Sequence, residues 1–225
     1  MTFVVAQTDR PLIDWSWLAR NLDDIWDRTL EHLYLTVLAV GIGLVISLAL
    51  AAIALRWPKA YNPVASIGGL LYTIPSLALF AFVVPFTGFS VTTAEIALVS
   101  YTILILVRNI HTGITGVPPG VVEAADGMGY RPVRRFVQIQ LPLAAPVIVA
   151  GIRVATVTVV GLVTVTALIG QGGLGFFILD GIRRSILFPT EIIVGTILSA
   201  VLAAVLDVGL LGVERAITPW KRGRR

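Results

Sequence analysis

Five apolar stretches, at 31–55, 63–86, 91–107, 143–169 and 188–213, decide the solvent this chain must fold in. A helix needs about 20 mostly apolar residues to cross the hydrocarbon core of a bilayer, and each stretch is of that order. In lipid only helices and closed barrels satisfy every backbone N–H and C=O. These runs are too long and continuous for the alternating strands of a barrel. The expectation is an all-α integral membrane protein with about five transmembrane helices. Composition agrees: 56% of the 225 residues are hydrophobic and 13% charged, against about 25% charged in a soluble domain. Cysteine is absent, which removes disulfides and thiol chemistry. The first ten residues lack the charged start and long apolar core of a signal peptide, since Asp9 and Arg10 close them early.

The basic residues predict orientation. With the loop after the first stretch placed inside, the inner side holds Arg56, Lys59, Arg108, Arg131, Arg134, Arg135, Arg215, Lys221, Arg222, Arg224 and Arg225. The outer side keeps Arg10, Arg20, Arg28, Arg183 and Arg184. That bias predicts the N-terminus outside and the C-terminus inside. The organisation expected is therefore an outer amphipathic segment over 1–30, a transmembrane domain over 31–213 containing an inner loop at 111–142, and a basic inner tail over 214–225. Within the first segment Trp15, Leu18, Leu22 and Ile25 recur at helical spacing beside Trp17 and Trp26. Such a helix lies in the membrane interface, and a docking surface for an external partner is the other reading.

The loop at 111–142 is a polar island between apolar runs. Pro118-Pro119 suits a helix start, Glu123 and Asp126 fall where acids favour the helix dipole, and Gly127 and Gly129 supply stop signals. Pro132 then starts a second helix and Pro142 ends it. On that helix Val133, Phe136 and Val137 share one face, and Arg131, Arg134 and Arg135 line another. A basic loop of this kind can merely obey the positive-inside bias. That reading leaves the order and spacing of Glu123, Ala124, Ala125, Gly129, Ile139, Leu141 and Pro142 unexplained.

Those seven residues resemble the inner-loop signature of permease subunits of bacterial ABC importers, without departure from the pattern. The resemblance implies a type I ABC importer permease fold and a short coupling helix that docks on a separate ATPase subunit. Physical chemistry is compatible with that role. The two alanines permit close approach, Gly129 permits a backbone angle other residues resist, and Glu123 offers a carboxylate to a basic group. The likeness extends to Tyr72-Thr-Ile-Pro-Ser-Leu-Ala-Leu-Phe80, to Arg108-Asn109 with Gly113-Ile114, to the run from Pro142 to Arg153, and to Ala167-Leu-Ile-Gly-Gln-Gly-Gly-Leu-Gly175. Together these cover about residues 30–215 and resemble the osmoprotectant branch, which imports glycine betaine, carnitine or choline. The resemblance implies two ATPase subunits holding ATP and Mg, a second permease subunit (a heterodimer favoured over a homodimer), an external substrate-binding protein carrying the aromatic cage for the solute, and a bacterial inner-membrane location. It implies no cofactor, no enzymatic step and no nucleic acid for this chain. Methionine and other amino-acid importers share the size and five-span layout and are the alternative. A secondary transporter fits less well, because neither inverted repeats nor an intramembrane ion relay is apparent.

Inside the apolar stretches a few residues stand out. Pro75, followed by Ser76, interrupts the second stretch, as a packing kink or as a bend that gates or lines the pathway. Arg153 and Asp207 both fall in the inner half of their spans, so a structural ion pair between them is favoured over a contact with substrate. Glu95 and Glu191 fall near outer ends, where they would reach water. Gly170-Gln-Gly-Gly-Leu-Gly175 matches G-x-G-x-x-G but follows a membrane helix with no βαβ unit, which argues against a dinucleotide site. A break that folds residues 176–186 back is the better reading. No G-x-x-x-x-G-K-[ST] loop is present, His32 and His111 are far apart, and no nucleophile–base set or metal cluster is apparent.

Overall fold

A computed structural model describes residues 12–184 and 189–219, which are helical with short connections and contain no strand. Helix α1 (Trp15–Arg20) is followed by α2 (Leu22–Arg56), a 35-residue helix about 52 Å long at 1.5 Å per residue. Next come α3 (Tyr61–Thr73), α4 (Ser76–Thr87) and α5 (Val91–Thr115). The polar loop holds α6 (Pro119–Gly127) and α7 (Pro132–Arg135), and α8 (Leu141–Val165) returns through the bundle. Helices α9 (Gly175–Arg183) and α10 (Pro189–Ile217) complete it. Four helical stretches, Leu22–Arg56, Val91–Thr115, Pro132–Ile169 and Pro189–Ile217, are long and apolar enough to cross a membrane, and α3 with α4 makes a fifth if counted as one bent span.

Helix α5 is the most enclosed of the spans. It packs against α2 and α8, with α3 and α4 alongside. Small residues set these approaches, as expected where lipid gives helices no hydrophobic reason to associate. A Cβ on Gly43 of α2 would collide with Thr102 of α5, and one on Gly151 of α8 with Asn109 of α5. Two apolar clusters result. One joins Leu35, Phe80, Leu98, Val159 and Val163; the other joins Ala51, Leu106, Ile110, Ala144 and Ala155 near the polar loop.

Three expectations meet a different local structure. The stretch 63–86 is not one helix: α3 and α4 meet at 95°. Pro75 has no N–H and pushes its predecessor out of the helical region. Ile74 accordingly takes φ −65° and ψ 128°, and its freed carbonyl accepts a hydrogen bond from the Tyr101 hydroxyl. The segment around the tryptophans is also broken. Asp14 caps α1 by accepting from the Ser16 and Trp17 amides at 2.9 and 3.0 Å, and the chain turns at Asn21, so Leu22, Ile25 and Trp26 belong to the start of α2. The Ser16 hydroxyl and those amides hold the Asp14 carboxyl below its ordinary pKa. Finally, Pro142 does not end the second loop helix. One wide π turn over Phe136–Gln140, closed by the Leu141 amide on the Phe136 carbonyl, absorbs the bond that Pro142 cannot make, and the helix continues into α8.

The glycine-rich segment does break the chain and fold α9 back against α10. Gly170, Gly172 and Gly173 all have positive φ, at 78°, 126° and 46°. A Cβ on Gly173 would lie 2.7 Å from the Arg28 carbonyl oxygen of α2. The same contact region holds His32 Nε2 at 3.0 Å from the Val160 carbonyl of α8 and the Arg28 guanidinium 4.2 Å from the Phe176 ring. Gly173→Ala is expected to lower the thermal midpoint of the purified protein by about 5 °C or more, since strain of this kind costs about 1–3 kcal/mol. An unchanged melting curve in detergent would refute the close packing of this turn on α2. Residues 1–11, 185–188 and 220–225, including much of the expected outer segment and basic tail, lie outside the described residues.

Candidate coupling loop and intramembrane sites

The polar loop folds as a compact hairpin. Helix α6 ends in a reciprocal pair of bonds: the Tyr130 amide donates to the Ala125 carbonyl at 3.1 Å, and the Gly129 amide to the Asp126 carbonyl at 2.9 Å. This termination needs a left-handed residue, and Gly129 supplies it at φ 78°. The two arms are tied by charge. Arg135 Nη1 lies 2.6 and 2.5 Å from the two oxygens of Asp126, and the Arg134 guanidinium sits 5.0 Å from the Tyr130 ring centre. The Asp126–Arg135 tie, absent from the sequence reading, gives the hairpin its shape.

Ala125 faces inward and is buried, whereas Glu123, Ala124 and Gly129 are exposed. Among the described residues Glu123 has no recorded ion-pair partner. Ile139 lies in the π turn and Pro142 just beyond it, both half-buried, with Leu141 exposed between them. The apolar face expected of the second arm is divided. Phe136 packs into the core beside Ile110 and Ile148, while Val133 and Val137 are exposed, as is Met128 at the end of the first arm. The hairpin therefore presents a carboxylate and several apolar side chains that no other described residue covers.

The structure brings Arg153 and Asp207 together in a fork: Nε and Nη2 each donate to one carboxylate oxygen at 2.8 Å. Glu214 adds a third charge, 3.7 Å from Arg153 Nη1. The sequence reading missed Glu214, although it stands seven residues after Asp207 and so on the same helix face. Pro75 lies at the α3–α4 break, outside both helices, and Ser76 is the first residue of α4. Glu95 and Glu191 do not reach water: they are 7% and 3% exposed. Both oxygens of Glu95 lack a hydrogen-bond partner among the described residues, and Glu191 accepts from Arg184 at 2.7 Å. Helix α5 begins on a turn capped by Ser90 and Glu191 stands in the first turn of α10, yet both side chains are buried, so a position near a helix end did not mean exposure. Among the described residues no group of three or more His, Cys, Asp or Glu could hold a metal ion.

Residues 39–219 match the family model described as binding-protein-dependent transport system inner membrane component. The chain belongs to this family. It is a multi-pass inner-membrane permease of the ABC importer class. A permease similar over nearly the whole chain is the choline transport system permease protein OpuBB of Bacillus subtilis, 36% identical with 90% of this chain and 93% of the relative covered. Another is the glycine betaine/carnitine/choline transport system permease protein OpuCB of the same organism, 34% identical with 91% and 93% covered. Among solved structures, a chain of the inward-facing MetNI methionine ABC transporter superposes with a TM-score of 0.73 at 21% identity, covering 92% of this permease and 100% of that chain. At that identity the likeness is one of fold, and it assigns the permease the architecture of type I importers.

Proposed function

We propose that this permease forms half of the translocation pathway of an ATP-driven importer for a compatible solute such as glycine betaine, carnitine or choline. The reading is carried by near-full-length similarity to permeases named for those solutes. The hairpin that exposes Glu123, Ala124 and Gly129 around the buried Ala125, rooted by Ile139, Leu141 and Pro142 in a transmembrane helix, supports its coupling role. In this reading the N-terminus is outside, the hairpin and C-terminus are cytoplasmic, and the hairpin docks on one of two ATPase subunits that hold ATP and Mg. A second permease, a related but distinct chain, completes the pathway, and an external binding protein delivers the solute.

The test is purification of the tagged permease from its native membrane, followed by uptake of labelled choline, glycine betaine and carnitine into proteoliposomes. An ATPase, a second permease and a binding protein are expected to accompany it, and uptake is expected to require ATP and no ion gradient. Repeated recovery of the intact permease without an ATPase, or uptake driven by a sodium or proton gradient, would refute the proposal. Uptake of methionine in place of these solutes would move the assignment to an amino-acid importer.

A further inference from the structure

Where the polar loop joins the bundle, α2, α5, the π turn and α8 enclose an apolar pocket of about 370 Å³. Ile110 and Ile114 of α5, 2% and 7% exposed, close its floor. Leu48, Ala52 and Leu141 are exposed and leave its mouth open at the surface of the chain. Phe136 and Ile148 form a wall, and Phe136 is the residue whose carbonyl closes the π turn. One turn of helix, about 10 Å across and 5.4 Å in pitch, fills about 420 Å³. The pocket is therefore too small for a helix of another subunit and suits a single flexible hydrocarbon chain.

The bilayer supplies such chains, but a lipid tail gains nothing by exchanging other tails for Leu and Ile. Residence in the pocket requires a headgroup contact, and the rim offers charge of a single sign. Segments 41–60, 96–122 and 127–179, which line the pocket, hold no Asp or Glu. Arg56 directly follows the lining residue Leu55, Lys59 stands three residues on, and Arg134 precedes Phe136 by two. All three are exposed, and none has a recorded ion-pair partner among the described residues. On the hairpin Asp126 is already taken up by Arg135. Trp57, 58% exposed, has its ring 5.9 Å from the Arg56 guanidinium, and tryptophan favours headgroup depth. A second apolar hollow on α2, lined by Val37, Gly41 and Val45, has no such rim, since positions 29–55 hold no Lys or Arg.

We propose that this pocket is a site for an anionic phospholipid, with one acyl chain against Ile110, Phe136 and Ile148 and the phosphate on Arg56, Lys59 and Arg134. Each Lys or Arg near an anionic headgroup strengthens binding by about fivefold. Long basic side chains suit the task, because their stems cover apolar surface while the charged ends reach the headgroups. The seated chain touches the π turn that joins the hairpin to α8, so the lipid braces the root of the loop. The site is independent of the solute carried.

The test places the permease, purified with its accompanying subunits, in phosphatidylcholine nanodiscs. Phosphatidylglycerol or phosphatidylcholine carrying a mid-chain diazirine is added, and the photo-adducts are mapped by mass spectrometry. The phosphatidylglycerol probe is expected to label the pocket at Leu48, Ile114 or Ile148. Unlabelled phosphatidylglycerol is expected to compete at least about fivefold better there than unlabelled phosphatidylcholine. The hollow around Val37 and Val45 is expected to label without headgroup preference. Arg56→Gln with Lys59→Gln is expected to reduce the preference at the pocket to about twofold or less. Ala52→Trp, which fills the mouth, is expected to remove most labelling of Ile148 and to leave the hollow unchanged. Absence of adducts in the pocket, equal competition by the two lipids, the same preference at the hollow, or a preference unchanged in the Gln double variant would overturn the site. Should either variant fail to fold, the wild-type competition at pocket and hollow decides alone.

Discussion

Glu123→Arg is expected to abolish ATP-driven uptake, by about tenfold or more, while the permease still inserts and is recovered at wild-type yield. Glu123 is exposed and has no recorded ion-pair partner among the described residues, so this chain's own fold makes little use of its charge. Its value lies in what docks on the hairpin. Losing one member of a desolvated charge pair at an interface costs about 2–5 kcal/mol, and reversing the charge adds repulsion. Two measurements separate the effects: uptake into proteoliposomes, and the amount of ATPase retained on the tagged permease. Normal uptake by the variant would refute a coupling role for Glu123.

The second large effect is expected at Arg153. Its guanidinium forks onto Asp207 and stands within 4 Å of Glu214, joining α8 to α10 where much of α10 is otherwise exposed. Asp207→Asn leaves the fork short of its charge partner and is expected to lower the thermal midpoint of the purified permease. Replacing all three charges, Arg153→Met with Asp207→Leu and Glu214→Gln, is expected to recover much of that loss, because matched removal strands no charge. A brace predicts this pattern in the melting curves, with uptake retained by the triple variant. A role in solute contact predicts instead that the triple variant melts normally and loses uptake.

The membrane class, the span count and the two helical arms of the polar loop were legible because they rest on patterns the sequence prints directly: long apolar runs, and prolines and glycines at fixed offsets. The local errors share a cause. Pro75 and Pro142 look alike in sequence, yet one breaks a span by 95° and the other sits inside a continuous helix. The difference lies in partners distant in sequence or register. Tyr101 satisfies the carbonyl freed at the first, and a single π turn removes the clash at the second. Glu95 and Glu191 were placed in water because depth along a helix was readable and rotation about its axis was not. Glu214 was readable from its seven-residue spacing to Asp207 once the pair had been drawn.

The uninterrupted helix from the loop through α8 has a mechanical consequence. Residues Pro132–Ile169 form 38 residues of helix, a rod about 57 Å long at 1.5 Å per residue. A rotation of about 10° at the hairpin would therefore displace the far tip by about 10 Å, on the arc of a rod of that length. That tip is the turn of Gly170, Gly172 and Gly173, wedged against α2. The rod behaves as a lever whose short arm is the hairpin and whose far end is keyed to α2. Small strokes at one face of the membrane become large ones at the other without any hinge inside the bilayer.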